Sequence, residues 1–374
     1  MTFINDKLQE NQKLMNDKVT SESRNNRDFA RFKFDPSEIM KLLRQRIIGQ
    51  NAALNSIEDM LKVIKADFNN PTRPLSVTFM VGPTGVGKTE TVRIISECIY
   101  GRSNAFCHID MNTLAQEHYA ASITGAPPGY VGSKEGHTLF DIDAINGSFS
   151  QPGIVLFDEI EKADKTVIRS LMNILETGKL KLTSGTKELD FRNSMIFMTS
   201  NIGATKSQNR LIYLEKLPNL FSKLAIKFKQ DENSIIERAM MQYFDPEFLN
   251  RIDRILYYKR IEFNITPQLV IIELNKLNQR MKKQNRLVSL SDSALNALSK
   301  GYDLKYGARG IERNLRVKLE PIIADFLLTN SNTKEIEIDF NDNTNSFFAS
   351  EKKIIMVHCE IANNTDGVQN SVSG

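Results

Sequence analysis

Three stretches of this chain hold residues whose types and spacing can do chemistry. The first is Gly82-Pro83-Thr84-Gly85-Val86-Gly87-Lys88-Thr89. In this pattern a glycine-rich backbone curls around a polyphosphate, the lysine reaches the outer phosphates, and the threonine hydroxyl joins the shell of a Mg²⁺ ion. A strand-like run at 77–81 precedes it and a helical pattern follows, so a helix N-terminus adds its positive end to the same spot. A glycine-rich turn with an incidental lysine would need neither flank. The second stretch, residues 153–159, is an apolar run ending in Asp158-Glu159. A strand parallel to the first delivers such residues to the same sheet edge, where Asp158 can hold a cation and Glu159 can act as general base on a water. A lone acidic pair also caps helices, but a buried strand before it and a phosphate loop upstream favour the chemical reading. The third, residues 194–201, is another buried strand ending in Asn201. That amide either bonds the terminal phosphate or attacking water, or caps a turn.

The elements needed to position these residues are legible around them. Asp35-Pro36-Ser37-Glu38 starts a helix with Ile39, Leu42, Leu43 and Ile47 at helical spacing, and Ala53, Leu54, Ile57, Met60, Leu61 and Ile64 mark a second. After Thr89 a helix runs to Gly101, and 106–110 reads as a strand returning parallel to the first. Residues 111–122 and 139–146 read as helical, 125–132 as a turn-dense loop, 165–176 as a helix, and 179–190 as a hairpin. Residues 202–234 read as an insertion or mobile loop, 234–243 as a helix and 254–258 as a last strand. From Thr266 the pattern changes to helices beginning at Thr266-Pro267, Ser291-Asp292 and Gly307, the last running through Leu327. Residues 335–340 and 353–358 alternate as a two-stranded edge. The expected class is α/β: a parallel sheet flanked by helices, then a small, mainly helical lid with a short β edge. The expected division is an arm at 1–35, either an exposed helix or a segment ordered by a partner, a large α/β domain at 36–260, the lid at 261–360 and a polar tail at 361–374.

Composition narrows the function classes. In 374 residues, 41% hydrophobic and 25% charged is an ordinary soluble mixture, which argues against disorder and against a membrane protein. A net charge of +4 is too mild to imply nucleic acid by itself. Cys98, Cys107 and Cys359 are odd in number and lack C-x-x-C spacing, which argues against a disulfide framework or a zinc site and for a reducing compartment. With no apolar signal core and no stretch near the ~20 residues of a membrane span, the expected location is the cytoplasm.

Taken in order, these residues resemble the AAA+ P-loop ATPases, and more narrowly the second ATPase module of Clp-family unfoldases and disaggregases. The matches are Ile48-Gly49-Gln50, the loop from Gly82 to Thr89, Gly125-Ala-Pro-Pro-Gly129-Tyr130-Val131-Gly132, Leu156-Phe-Asp-Glu-Ile-Glu-Lys162, Asp190-Phe-Arg-Asn193, Met198-Thr-Ser-Asn-Ile-Gly203, Pro246 through Arg251 to Asp253, and Gly301-Tyr-Asp with Gly307-Ala-Arg309. The resemblance covers roughly residues 46–340 and implies a hexameric ring that uses ATP and Mg²⁺ to draw polypeptide through an axial pore. It implies that Lys88, Thr89 and Asp158 bind nucleotide and metal, that Glu159 activates water, and that Asn201 is a first sensor. Arg251 would be a finger reaching a neighbouring subunit's nucleotide, Arg309 a second sensor on the lid, and Ile48 and Gly49 part of the adenine pocket. Tyr130, flanked by Gly129, Val131 and Gly132, would be the pore-loop aromatic that grips any extended backbone by apolar contact.

Only 45 residues precede Arg46, so a single-ring machine is expected. No Ile-Gly-Phe or Ile-Gly-Leu tripeptide occurs in 204–244, which leaves a docked peptidase without its usual loop. Two other functions compete: a nucleic-acid motor or loader, which would need a basic pore or an added DNA-binding domain, and a nucleotide-gated scaffold that threads nothing.

Overall fold

The computed structural model describes residues 31–115, 140–181, 188–203, 232–300 and 307–352. They fall into two compact units, one of residues up to Ile272 with Ser299–Arg313, the other of Glu273–Leu298 with residues from Asn314 on.

In the first unit α1 (Pro36–Arg46) and α2 (Asn51–Lys65) lead into β1 (Ser76–Val81), and α3 (Lys88–Tyr100) leaves the loop after it. There follow β2 (Cys107–Asp110), α4 (Ile142–Asn146), β3 (Gly153–Asp158) and α5 (Lys165–Thr177). Next come a short β4 (Lys179–Lys181) and β5 (Glu188–Asp190), then β6 (Ser194–Ser200), α6 (Glu232–Tyr243), α7 (Pro246–Leu249) and β7 (Arg254–Tyr257). The sheet order is β2-β3-β6-β1-β7, and every pairing is parallel. β1 and β6 are buried at every residue, which is why they read as unbroken apolar and β-branched runs and not as alternating ones. The registers Val81↔Ser200 and Asp110↔Asp158 bring the carboxyl ends of the strands to one edge, where open α/β sheets bind ligands. The strand expected to return parallel to β1 does so, at the sheet's edge against β3, with β3 and β6 between it and β1.

α8 (Thr266–Met281) is followed by β8 (Leu287–Leu290), α9 (Asp292–Lys300), α10 (Ala308–Asn314), α11 (Glu320–Thr329), β9 (Glu335–Asn341) and β10 (Ser346–Glu351). Two expectations need correction here. The helix expected to run from Gly307 through Leu327 is interrupted by a π-helical turn at Leu315–Leu319. Pro321 has no N–H to give the carbonyl four residues back, and the helix widens where that bond is missing. The β edge has three strands: β9 pairs antiparallel with β10 and parallel with β8. Residues 353–358, expected as the partner of β9, lie outside the described residues. The adjacent Phe347 and Phe348 break the alternation that would have flagged β10, although Phe347 packs on Phe340 with ring centroids 4.8 Å apart.

Candidate active site

The loop after β1 is shaped by what lies behind it. At Gly82, φ is +154° and a Cβ would lie 2.3 Å from the Tyr258 carbonyl oxygen, so only glycine fits. The Tyr258 phenol, fully buried, meets the Thr91 hydroxyl at 2.9 Å and ties the first turn of α3 to the end of β7. Lys88 opens α3 and is buried. Its Nζ donates to the Gly82 and Pro83 carbonyls, the latter at 2.7 Å, and to Asn201 Oδ1 at 2.8 Å. Burial lowers its pKa to about 8, opposed by the charges of Glu161, Asp158 and Glu159. A buried ammonium whose bonded partners are all neutral, set at a helix start whose first amides have no intrahelical acceptor, fits an anionic ligand such as a polyphosphate.

The acidic pair stands beside it. Asp158 Oδ2 accepts from Thr89 Oγ1 and meets His108 Nε2, each at 3.3 Å, while Oδ1 accepts from the Thr199 hydroxyl. Burial pushes the Asp158 carboxyl up, but the bonds from His108, Thr199 and Thr89 outweigh it and hold the group below the usual carboxylate range. Among the described residues no cluster of three or more His, Cys, Asp or Glu could cage a metal. The donors present, one ionised carboxylate and one hydroxyl, fit a hard cation shared with phosphate oxygens. Glu159 takes a left-handed conformation at φ 58°. Its Oε1 accepts from Asn201 Nδ2 at 3.2 Å and its Oε2 from Asn112 Nδ2 at 2.9 Å. Lys88, Thr89, Asp158, Glu159 and Asn201 are thus brought together from three segments of chain. Asn112, His108 and Thr199 join them and were not singled out in the sequence. Thr199 lay inside the Thr-Ser-Asn match, and Asn112 follows β2 by two residues in an Asp-x-Asn turn.

Arg251 is placed elsewhere. Its Nη2 donates to Glu176 Oε2 at 2.9 Å and to Glu247 Oε1 at 3.0 Å, and its buried Nε has no partner among the described residues. Arg73 donates to its carbonyl at 2.9 Å, and Asp253 pairs with Val77 at the start of β1 through both backbone and side chain. Arg251 therefore stands at the amino end of β1, opposite the end that carries Lys88. Arg309 lies on α10, whose Ala308 N–H donates to the Gly85 carbonyl at 2.9 Å. At Gly307 a Cβ would come within 2.7 Å of both the Thr84 and Gly85 carbonyl oxygens. The Arg309 charge is near enough to depress the Lys88 pKa. The turn of Ile48 and Gly49 is clasped by Gln50, whose amide donates to the Lys259 carbonyl at 2.8 Å and accepts its N–H at 2.9 Å. The preceding Ile47 packs under Gly87. Residues 129–132, including Tyr130, lie outside the described residues.

A phosphate loop, an acid pair and an asparagine on adjacent parallel strands define a P-loop nucleotide hydrolase of the α/β class. The AAA domain (Cdc48 subfamily) matches residues 73–255, and the C-terminal, D2-small domain of ClpB protein matches 265–340. The chain is 42% identical over 301 residues to the ATP-dependent protease ATP-binding subunit-like protein AmiB of Pseudomonas aeruginosa, covering 80% of this chain and 81% of that one. It is 41% identical over 297 residues to an ATP-dependent protease ATP-binding subunit-like protein of Rhodococcus erythropolis, covering 79% and 84%. Against the chaperone protein ClpB of Oceanobacillus iheyensis it is 33% identical over 309 residues, 82% of this chain but 37% of that longer one. The chain belongs to the Clp family of AAA+ ATPases, and it is an ATPase. No helix among the described residues is long and apolar enough to cross a membrane.

Proposed function

We propose that this chain assembles into a homohexameric ring, hydrolyses Mg²⁺-ATP at the seams between copies, and uses the cycle to pull polypeptide through a pore lined by Tyr130. The observation that carries the reading is the split arrangement in one chain: Lys88, Thr89, Asp158, Glu159 and Asn201 meet at the carboxyl edge of the sheet, while Arg251 stands at the amino edge. The arginine can serve a phosphate only in another copy, and a head-to-tail contact of that kind makes a ring when its rotation closes.

Lys88 holds the outer phosphates, exchanging its bonds to the Gly82 and Pro83 carbonyls for bonds to phosphate oxygens. Thr89 and Asp158 would hold the Mg²⁺ ion, which when bound offsets phosphate charge. Glu159 takes a proton from the attacking water as the water oxygen bonds to the γ-phosphorus and the bond to the ADP oxygen breaks. Asn201 Nδ2 orients Oε1 of that base, and Arg251 of a neighbouring copy meets the charge that grows on the transferred group. Arg309, seated on the loop through α10, registers whether the phosphate is present.

Polypeptide as substrate rests on the match at 125–132. Glu159→Gln should bind ATP and capture a labelled unfolded protein without turnover. Tyr130→Ala should hydrolyse ATP and fail to unfold that protein. A Tyr130→Ala variant that unfolds it at the normal rate refutes the threading reading.

A further inference from the structure

We propose that Thr199 is the positioning residue of this active site, its single hydroxyl fixing the backbone of Glu159 and the carboxylate of Asp158 together. The proposal rests on the roles given above to those two acids.

Thr199 sits near the end of β6, 1% exposed, so it touches no substrate. Its Oγ1 accepts the Glu159 N–H at 2.9 Å and lies against Asp158 Oδ1. An amide can only donate and a carboxylate can only accept, so the hydroxyl proton must point at Asp158. The ladder between β3 and β6 ends at Phe157↔Met198. Just past that point the Glu159 N–H goes to a side chain, and the residue turns to φ 58°, ψ 53°. A residue with a Cβ adopts that conformation only where its surroundings over-determine it. Here the over-determination comes from Thr199 on the amide, with Asn112 and Asn201 on the two carboxylate oxygens. Removing the hydroxyl releases the amide of the base and one bond to the cation-holding carboxylate in a single step. No other side chain among those bonds touches both acids at these positions: His108 and Thr89 reach only Asp158, and Asn112 and Asn201 only Glu159.

The test compares Thr199→Val, which keeps the shape and loses the hydroxyl, with Thr199→Ser, which keeps the hydroxyl and loses a methyl. T199V should bind a fluorescent ATP analogue within about threefold of wild type, while kcat falls on the order of 100-fold because the base is misplaced. Calorimetric Mg²⁺ affinity of its ADP complex should weaken about tenfold through the freed Asp158. T199S should match wild type in both. A merely structural role would lower Tm in both variants and leave kcat and Mg²⁺ affinity alone. Wild-type kcat in T199V, or T199S as defective as T199V, overturns the proposal. Should T199V not fold, Thr199→Ala, which lacks the buried methyls, is read by the same criteria, and T199S must still behave as wild type. The accompanying Glu159→Gln variant separates the two failures: normal hydrolysis there sinks the role of Glu159 itself, whereas an inactive E159Q beside a fully active T199V sinks only the role of Thr199.

Discussion

A mixed assembly of two inactive chains should recover activity, because each chain lacks what its neighbour supplies. Asp253 pairs with Val77, and Lys88 answers to Gly82. Those two strand positions are five residues apart, roughly 16 Å at ~3.3 Å per residue, farther than an extended arginine side chain spans. Arg251 therefore cannot complete the site of its own chain. Arg251→Ala alone should lose about 10³-fold in kcat, the usual cost of losing an in-trans arginine, and Glu159→Gln alone should be inactive. The fold of the arginine variant is expected to survive, since its pairs with Glu176 and Glu247 lie at the surface. Co-expressed at equal levels and purified through a different tag on each chain, the two variants assort at random. An intact Glu159 then meets an intact Arg251 at about one seam in four, so phosphate release should return to about a quarter of wild type. The assay is steady-state phosphate release above the assembly concentration. A doubly tagged assembly as inactive as its components, or an Arg251→Ala protein that hydrolyses normally, refutes the shared site.

Lys88 should give ATP binding a pH dependence. The free protein holds its ammonium at a pKa of about 8 against an ordinary 10.5, chiefly through burial. Phosphate needs the charged form, so affinity measured by calorimetry at pH 7, 8 and 9 should fall above about 8, by up to tenfold per pH unit, and Lys88→Met should show no such slope. The same depression makes the nucleotide-free fold gain stability as pH rises from about 8 towards 10.5, which urea midpoints at those pH values can check. Gly307→Ala forces a Cβ against the Thr84 and Gly85 oxygens at a left-handed φ of +57°; relief of about 1–3 kcal/mol of strain should shift α10 off the loop and raise KM for ATP about tenfold, and an unchanged KM would show that the seat does not serve nucleotide.

What could be read from the linear sequence was what one segment encodes by itself. The run of 77–81, the glycines and Lys88 are local, and so is the apolar strand ending at Asp158. Their shared edge followed from the rule that parallel strands align their carboxyl ends. The groups that hold the chemistry in place were hidden because their partners are far apart in sequence: Asn112 meets Glu159 across 47 residues, and Thr199 meets it across 40. An asparagine in a turn and a threonine in a strand each have an ordinary local reason to be there, so residue type alone carries no signal. β10 and the π turn escaped for a different cause. The paired phenylalanines blurred a period of two, and Pro321 sits inside an otherwise unbroken helical pattern whose register it alters without ending it.

The loop itself is gripped from two sides, and that grip decides how nucleotide can do work. On one side Lys88 is bonded to the Gly82 and Pro83 carbonyls; on the other, Ala308 donates to the Gly85 carbonyl and Gly307 lies against Thr84 and Gly85 with no room to spare. On the proposed function, phosphates would draw Lys88 off those carbonyls, which would free the first half of the loop while the second half stays pinned to the start of α10. A shift of Gly85 would then bear directly on α10, because interiors packed this closely move in steps and do not yield continuously. Glu159 is held through Asn201, and Asn201 Oδ1 is also bonded to Lys88. On the proposed function, arrival of phosphate at Lys88 would alter the footing of the base in the same event that loads α10, so this one lysine would couple binding to both hydrolysis and helix displacement.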